Sequence, residues 1–220
     1  MREALVRTRT RWIVVIRPLL RREGFRIRSG KAETFAARVR ELALPEHLRT
    51  EVAPLLALLA PLNEQIQVLQ EQLDTMVEND AVLERLTTVP GVGPITAVSF
   101  VSTLDRVERF PGAHQVESYL GLVPREWSSS EIQRKGPITK AGNERTRWLL
   151  VEAAWCILRR KRRPETAALR DWADRIALRR GRSIAAVALA RRLAGILYAI
   201  WRDARPFEPT QLERRVQQAA

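Results

Sequence analysis

The sequence predicts an all-α fold in which a helical linker and coiled-coil segment precedes a compact helical domain. Apolar residues recur at the three- and four-residue spacing of helices along most of the 220 residues, and no stretch shows a persuasive strand pattern. Hydrophobic residues make up 45% of the chain, which is ample for a packed core. We divide the chain into a linker and coiled-coil region at 1–79, a helical domain at 80–209 and a loose tail at 210–220.

The N-terminal segment is basic and amphipathic. Residues 3–23 place tryptophan, isoleucine and leucine side chains against a series of arginines, which predicts a helix with one apolar face. Pro18 should kink or break this helix, because proline lacks the amide proton that an interior position needs. After a glycine-containing turn, a short helix is expected near 32–43.

A heptad seam follows this short helix. From position 48 to 76 the apolar residues alternate spacings of four and three, as in a coiled coil. Pro54 and Pro61 argue against one straight helix in the first half, so coiled-coil geometry is expected over 62–79. The seam predicts either a homo-oligomer joined through this segment or a helical hairpin packed within its own domain, and the sequence favours neither.

The C-terminal helices have local end signals. The domain ends in a helical core at 142–204, with helices expected at 142–162, 164–180 and 183–204. Pro164 fits the first turn of the second helix, and Gly181 with Ser183 supplies a stop followed by an N-cap. Residues 148–158 are apolar nearly all round the helix, so they are expected to be buried.

The positive charge of the chain is concentrated in its last third. Residues 134–220 hold twenty-one basic and eight acidic side chains, an excess that equals the whole net charge of +13. Such a field attracts a polyanion, and the predominance of arginine suits bidentate phosphate contacts. The distribution predicts nucleic acid as a partner, although a solubilised helical surface or a ribosomal or RNA-binding protein would carry similar charge.

Cysteine, histidine and hydropathy patterns exclude several kinds of site. Cys156 is the lone cysteine, which excludes an internal disulfide and a cysteine-based zinc site, and the two histidines lie far apart. The most apolar stretch, 184–201, carries Arg191 and Arg192 at its centre, so a core helix is expected there and no membrane partner. No signal peptide is recognisable, and the expected location is cytoplasmic.

Residues 83–103 fit a helix-hairpin-helix motif, with the turn Gly91-Val92-Gly93 between two short helices. Glycine allows positive φ and lets the backbone approach a phosphate, where amides at the start of the second helix point at the anion. Gly91, Gly93 and Thr96 are therefore predicted to contact the DNA backbone without reading its sequence. The alternative is a tight glycine–proline turn between two packed helices.

A loop with three consecutive serines, 128–130, is expected at 122–141. The basic residues predicted to contact DNA in and just after this loop are Arg134, Lys135, Lys140, Arg145 and Arg147. A serine that attacks a phosphodiester needs cationic donors for the developing charge and a base or metal to activate its hydroxyl. The cations are present, but Glu126 and Glu131 are only weak candidates for the base, and serine runs are also typical of flexible loops.

Several blocks of sequence occur in the order found in one family of mobile-element proteins. The chain resembles the C-terminal transposase domain of insertion-sequence family 110, grouped with 116 and 902, through PGVGPITA, YLGLVPRE, GPITKAGN, RWLLVEAAW and RGRSIAAVALARRLAGILYAIWRD. The resemblance covers about 80–209, and it is specific because several blocks share their order. Members of this family are DNA recombinases guided by a bridge RNA.

The resemblance implies a role for one serine and for a further domain. In the family a nucleophilic serine bonds to DNA phosphate, and alignment through Pro124 places it on Ser129, with Ser128 as the neighbouring candidate. Ser130 and Glu131 stand where glycines are common in the family. The family's magnesium-binding acidic quartet lies in an N-terminal RuvC-like domain, so no cofactor is expected in this chain.

Two hypotheses of function follow from these implications. The first is a DNA transposase whose partners are DNA, a guide RNA and a second copy of the chain. It is expected to be truncated and inactive alone, because no acidic metal-binding set is recognisable in the sequence. The second is a non-catalytic nucleic-acid-binding helical protein in which the serine loop is structural.

Overall fold

The computed structural model describes residues 1–129 and 132–209, and for 127–129 and 132–135 it describes the backbone alone. Contacts divide the chain into two compact units, Met1–Asp74 and a second that begins at Thr75. The described residues contain ten α-helices, one 3-10 turn and one two-stranded antiparallel sheet. The predicted all-α class is confirmed, with the small sheet as the exception.

The first unit is built from helices alone. They are α1 (Arg2–Arg22), α2 (Phe35–Arg40), α3 (Glu46–Ala57) and the larger part of α4 (Leu59–Glu78). The second unit combines further helices with the sheet. Its elements are α5 (Ala81–Thr87), α6 (Pro94–Leu104), the 3-10 turn (Val107–Arg109), α7 (Ala113–Tyr119), β1 (Pro124–Ser129), β2 (Ile132–Ile138), α8 (Glu144–Arg159), α9 (Pro164–Arg180) and α10 (Arg182–Asp203).

The helix α1 runs through Pro18 to its end at Arg22, so the expected break does not occur. Proline removes only the hydrogen bond to the carbonyl four residues earlier, and that carbonyl belongs to Val14 on the exposed side of the helix. Ile16 and Leu20 lie on either side of the proline and are fully buried. Burial of the apolar face therefore outweighs the missing hydrogen bond.

The heptad segment is divided into two helices. α3 and α4 separate at Leu58, between Pro54 and Pro61, which confirms that the segment is not one straight helix. Pro61 lies in the first turn of α4, where a missing amide proton costs no helical hydrogen bond. In α4 only Leu59 and Ile66 are buried, so oligomerisation through the rest of the seam stays a prediction.

A buried arginine links two helices of the first unit. Arg9 donates to Oε1 of Glu33 at 2.8 Å and to Oδ1 of Asn63 at 3.0 Å. The carboxylate of Glu33 accepts a hydrogen bond from the backbone amide of Glu33 and lies beside the charge of Arg9. Both interactions lower the pKa of Glu33. These contacts join α1 to the turn before α2 and to the start of α4.

The core of the second unit is centred on α10. Nine residues of this helix are buried, and α5, α7, α8 and α9 all contact it. Four of the nine are alanines, which let neighbouring helices approach closely. Tyr198 is buried with them and donates its hydroxyl proton to the carbonyl of Phe110 at 2.7 Å. Arg191 lies outside the buried side of α10 and pairs with Glu117 of α7 at 2.5 Å.

Within the part of the chain that the structure describes, two segments are long and apolar enough to cross a membrane when length and composition alone are considered. One is α10, which meets the same criterion as a core helix because half of its most apolar window is buried. The other covers 46–78, which the end of α3 at Ala57 divides into two helices. The expected role of α10 as a core helix is confirmed by its packing.

The expected loop at 122–141 forms a β-hairpin, which corrects the sequence interpretation. β1 and β2 pair antiparallel, with Ser129 opposite Ile132 at the far end of the ladder. An irregularity interrupts the pairing between Pro124 and Glu126. The two strands are short and mostly polar, so the apolar alternation that reveals a strand is missing from their sequence.

Three hydroxyl groups join α6 to the first turn of α8. The side chain of Thr146 is fully buried and donates to the carbonyl of Ser99 at 3.2 Å. Its oxygen also lies 2.7 Å from Oγ of Ser99 and 2.7 Å from Oγ1 of Thr103. One donor and two acceptor lone pairs of Thr146 are thereby used, as a buried hydroxyl requires.

We expect Thr146→Val to lower the free energy of unfolding of the second unit by about 1–3 kcal/mol, because the isosteric methyl leaves the hydroxyls of Ser99 and Thr103 without their shared partner. Urea denaturation followed by circular dichroism measures the change. The matched control is Ser102→Ala, an exposed hydroxyl on α6, which should change stability by less than about 0.5 kcal/mol. Equal destabilisation in the two variants would contradict a structural role for the network.

Candidate nucleic-acid interface

The predicted helical hairpin is formed by α5, a six-residue turn and α6. Asp80 caps α5 by accepting hydrogen bonds from the amides of Val82 and Leu83 at 2.7 and 3.2 Å. Within the turn, Val89 and Val92 are buried and joined by a 3.0 Å backbone hydrogen bond. These contacts place the start of α6 on a rigid base.

The two glycines of the turn differ in what surrounds them. Gly91 has φ +84°, and a Cβ there would lie 2.6 Å from the carbonyl oxygen of Ala153 in α8. Its close backbone approach is therefore to α8. Gly93 has φ −106°, so the expected positive φ does not hold there, and a Cβ would meet nothing within 4 Å. Of the two, Gly93 has the open surroundings that an approaching phosphate needs.

Thr96, the third residue predicted to contact DNA from this turn, lies in the interior. Its side chain is only 6% exposed, and its amide donates to the carbonyl of Gly93 at 2.9 Å. In this conformation Thr96 contributes to the packing of the first turn of α6. The amide of Ile95 precedes it in the same turn, and Pro94 has no amide proton to offer.

A cleft of about 320 Å³ lies beside the turn and was not predicted from the sequence. Thr88, Pro90 and Gly91 form one side of it. The other side includes three basic residues from the connection between α8 and α9, namely Arg160, Lys161 and Arg163. One carboxylate, that of Glu165, also lines it. The basic residues of the cleft belong to an unbroken basic run at 159–163 that is recognisable in the sequence. No local sequence pattern places that run near the turn.

The β-hairpin begins and ends at two tightly packed glycines. Gly121 and Gly142 have φ +68° and +70°, and a Cβ on either would overlap the backbone of the opposite chain segment. The guanidinium of Arg147 donates to the carbonyl oxygens of Leu120 at 3.1 Å and Ala141 at 2.7 Å. Arg147, predicted to contact DNA, is thus engaged in closing the base of the hairpin.

The other predicted residues of this region are placed unequally. Lys140 is exposed, with φ +57°, at the end of the hairpin. Arg145 lies on α8, with its guanidinium carbon 4.6 Å from the ring centre of Trp148. For Ser128, Ser129, Arg134 and Lys135 the backbone belongs to the ladder, and their side chains lie outside the described part of the structure. Ser130 and Glu131 lie outside it altogether.

The helix α8 contacts both predicted motifs. Arg147 in its first turn binds the base of the serine-bearing hairpin, and Ala153 contacts the turn at Gly91. These two positions are about 9 Å apart along the axis, at 1.5 Å per residue. The expectation that 148–158 is buried throughout is wrong, because Trp148 is 49% exposed and Glu152 is exposed. One side of α8 therefore faces away from the core.

No group of three His, Cys, Asp or Glu residues that could hold a metal ion occurs among the residues that the structure describes. The only cysteine, Cys156, lines the cleft beside the turn and is half-buried. The cleft also presents arginine and lysine side chains, which bind anions.

Comparison with known proteins gives this chain its family. The model of the transposase IS116/IS110/IS902 family matches residues 83–170, from α5 into α9. A curated Pseudomonas aeruginosa protein, whose name places it in transposase family 20, is 34% identical over 212 residues, and the match covers 91% of this chain and 61% of that protein. The chain belongs to the IS116/IS110/IS902 transposase family.

Further relatives of this family member carry similar names. A Coxiella burnetii transposase for insertion sequence element IS1111A is 30% identical over 206 residues, covering 91% of this chain and 56% of its own length. A Yersinia enterocolitica transposase for IS1328 is 28% identical over 202 residues, covering 91% of this chain and 60% of its own length. The family member thus spans 56% to 61% of the length of these relatives.

Substitution distinguishes the glycine of the turn that packs against α8 from the glycine that lies in open space. Gly91→Ala should lower the melting temperature by several degrees, because a left-handed φ costs an L-residue about 1–2 kcal/mol and its Cβ would press on the carbonyl of Ala153. Gly93→Ser should leave the melting temperature nearly unchanged, since Gly93 has ordinary φ, open space and an N-cap position that serine suits. Differential scanning calorimetry measures both, and equal melting temperatures would contradict the contact at Gly91.

Proposed function

We propose that this chain is the DNA-binding and strand-joining part of an insertion-sequence transposase, with Ser129 as the nucleophile. The observation that carries the proposal is the placement of a helical-hairpin turn with a basic cleft and a serine-bearing β-hairpin on one helix, α8. Membership of a transposase family supports DNA as the substrate. The assignment of Ser129 comes from the family resemblance.

The turn and its cleft form the proposed grip on the DNA backbone. Gly93 leaves open space at the start of α6, where the helix dipole and the amide of Ile95 favour an anion. Arg160, Lys161 and Arg163 stand across the cleft and supply positive charge for the same strand. Arg162, within the same run, is already paired with Asp171 at 2.6 Å. Such contacts hold phosphates and read no sequence.

The proposed reaction is a transesterification at phosphorus. The Oγ of Ser129 bonds to the phosphorus, and the bond from phosphorus to the leaving deoxyribose oxygen breaks. The serine proton passes to a base, and the leaving oxygen is protonated. Attack by the hydroxyl of another strand reverses these steps, reforms a phosphodiester and frees the serine. One phosphodiester is exchanged for another, so no energy-rich co-reactant is needed.

The base and the metal of this reaction are proposed to come from outside the described residues. The family resemblance assigns them to a magnesium-binding domain, which pairs with the serine-bearing half between subunits. A second copy of the chain and a guide RNA belong to the same proposal. The half-buried seam of α4 supports association of copies, because only Leu59 and Ile66 of that helix are buried.

A covalent adduct tests the serine. With a family acidic domain, guide RNA, magnesium and a labelled nicked duplex supplied, the parental chain should form a denaturation-resistant protein–DNA species, because the phosphoserine bond survives detergent. Ser129→Ala should abolish that species, and Ser128→Ala should retain it. Gel electrophoresis of the labelled DNA measures the adduct.

The pattern among the variants decides between the hypotheses. An adduct abolished in Ser128→Ala and kept in Ser129→Ala would transfer the role to the neighbouring serine. An adduct absent from the parental chain, with salt-sensitive duplex binding intact, would favour the non-catalytic nucleic-acid-binding protein instead.

The backbone grip has its own test in duplex affinity. Gly93→Asp keeps a good N-cap but places a carboxylate at the proposed phosphate position, so it should weaken duplex binding without lowering the melting temperature. Alanine at Arg160, Lys161 and Arg163 should flatten the salt dependence of log Kd by about one unit for each phosphate that is no longer neutralised. Fluorescence anisotropy across a salt series measures both effects.

The control for charge is a pair of exposed arginines at the end of α9. Alanine at Arg179 and Arg180 removes two charges away from the cleft and should change the salt slope far less. An equal change in salt slope per charge removed in the two sets would show a diffuse positive field and would contradict a grip at the turn.

A further inference from the structure

The outward side of α8 carries an arrangement that neither the turn nor the serine hairpin uses. Five residues occupy it, within about 80° of helical arc at 3.6 residues per turn. From the N-terminal end they are Arg145, Trp148, Glu152, Trp155 and Arg159, here called the Trp–Arg face. The opposite side of α8 is the buried one, with Leu150, Ala153 and Ile157 in the core of the second unit.

Each tryptophan of this face is stacked with an arginine. The guanidinium carbon of Arg145 lies 4.6 Å from the ring centre of Trp148, and that of Arg159 lies 4.7 Å from the ring centre of Trp155. Trp148 is 49% exposed and Trp155 is half-buried, and both indoles lie outside the core cluster. Two large aromatic rings on one outward helix side mark a binding surface rather than scattered exposure.

We infer that the Trp–Arg face binds single-stranded nucleic acid, an inference that rests on the proposed function and names a further substrate form for it. Bases stack on the indole and guanidinium planes, which accept any base because every base has a π face. The N–H edge of Arg159 pairs with phosphate, and the guanidinium of Arg145 adds positive charge at the other end of the face. A duplex does not fit this mode, since its bases are already stacked on one another and paired.

The dimensions of the face fit a short strand. Trp148 and Trp155 are separated by about 10.5 Å along the helix axis, which equals the rise of about three stacked nucleotides at 3.4 Å each. The carboxylate of Glu152 lies between the indoles, where it repels phosphate. The backbone of the strand is therefore directed to the arginines at the two ends, and its bases are directed to the middle.

The position of the face relates it to strand exchange. Arg145 is the second residue of α8, and Asn143, which caps that helix, directly follows the base of the serine-bearing hairpin at Gly142. Ser129 lies at the other end of the ladder, about 20 Å from this base at roughly 3.3 Å per residue of β2. A strand released at Ser129 would therefore run back along the hairpin to reach the face.

Labelled oligothymidylate and oligouridylate provide the test, because neither folds on itself. Trp148→Leu and Trp155→Leu should each weaken oligonucleotide affinity about 5- to 100-fold, since leucine keeps apolar volume but removes the stacking plane. Trp148→Phe and Trp155→Phe should retain most of the affinity. Equal weakening for both probes would indicate base stacking alone, and a larger effect for oligouridylate would assign the face to RNA.

The matched control is Trp172→Leu, at a tryptophan that also stacks with an arginine, Arg192 at 4.7 Å, but packs against the core. In folded protein it should leave oligonucleotide affinity unchanged. Melting temperatures identify any variant that is unfolded, and Trp148→Leu keeps the test informative if Trp155→Leu destabilises α8, because Trp148 is 49% exposed. Unchanged affinity in folded Trp148→Leu and Trp155→Leu variants would overturn the inference.

Two further measurements separate competing explanations. If the leucine variants change the sedimentation coefficient of the chain and leave oligonucleotide affinity unchanged, the face is a contact between copies and the inference is overturned. Duplex affinity is measured in parallel, because the proposed grip at Gly93 does not involve this face. A parental chain that binds single strands and no duplex would contradict the proposed grip and leave the Trp–Arg face supported.

Discussion

Burial of the alanine-rich side of α10 holds the second unit together. Ala185, Ala186, Ala190 and Ala194 present little more than methyl groups, so α5, α7, α8 and α9 can all pack against one helix. Removing this apolar surface from water stabilises the unit at roughly 25 cal/mol per Å². The turn, the base of the β-hairpin and the basic connection obtain their relative positions from this shared contact.

Several residues suited to DNA contact are engaged in the scaffold. Gly91 lies against the carbonyl of Ala153, Thr96 is buried, and Arg147 binds two carbonyl oxygens. A basic or flexible residue in a positive region is thus not by itself available to a ligand. The basic groups that line the cleft beside the turn are instead Arg160, Lys161 and Arg163.

Local signals made much of the fold predictable. α9 begins at Pro164 and ends before Gly181, as expected, because proline at a first turn and glycine at a C-cap act through neighbouring backbone alone. The β-hairpin was missed for the opposite reason. Its strands are short and polar, and its closure depends on Gly121 and Gly142, which are distant in sequence but adjacent in space.

In the candidate site, too, features set by local sequence were predictable, and features set by tertiary contacts were not. Positive φ at Gly91 was predictable from residue type, whereas its neighbour Ala153 lies more than sixty residues away in sequence, and no spacing rule could supply it. The basic run at 159–163 was equally recognisable in the sequence, but its proximity to Gly91 depends on the tertiary structure. The assignment of Ser129 came from resemblance to a family, because chemistry alone did not single out one of three serines.

The contacts that close the base of the β-hairpin do not depend on the sequence of the two strands above it. Its geometry is fixed by Gly121, Gly142 and Arg147, all of which lie outside 124–138. We expect insertions, deletions or replacement within those strands to leave the contacts of Gly121, Gly142 and Arg147 intact, because none of these residues belongs to a strand. The segment that carries the proposed nucleophile can therefore diverge between elements while the helical body that supports it stays the same.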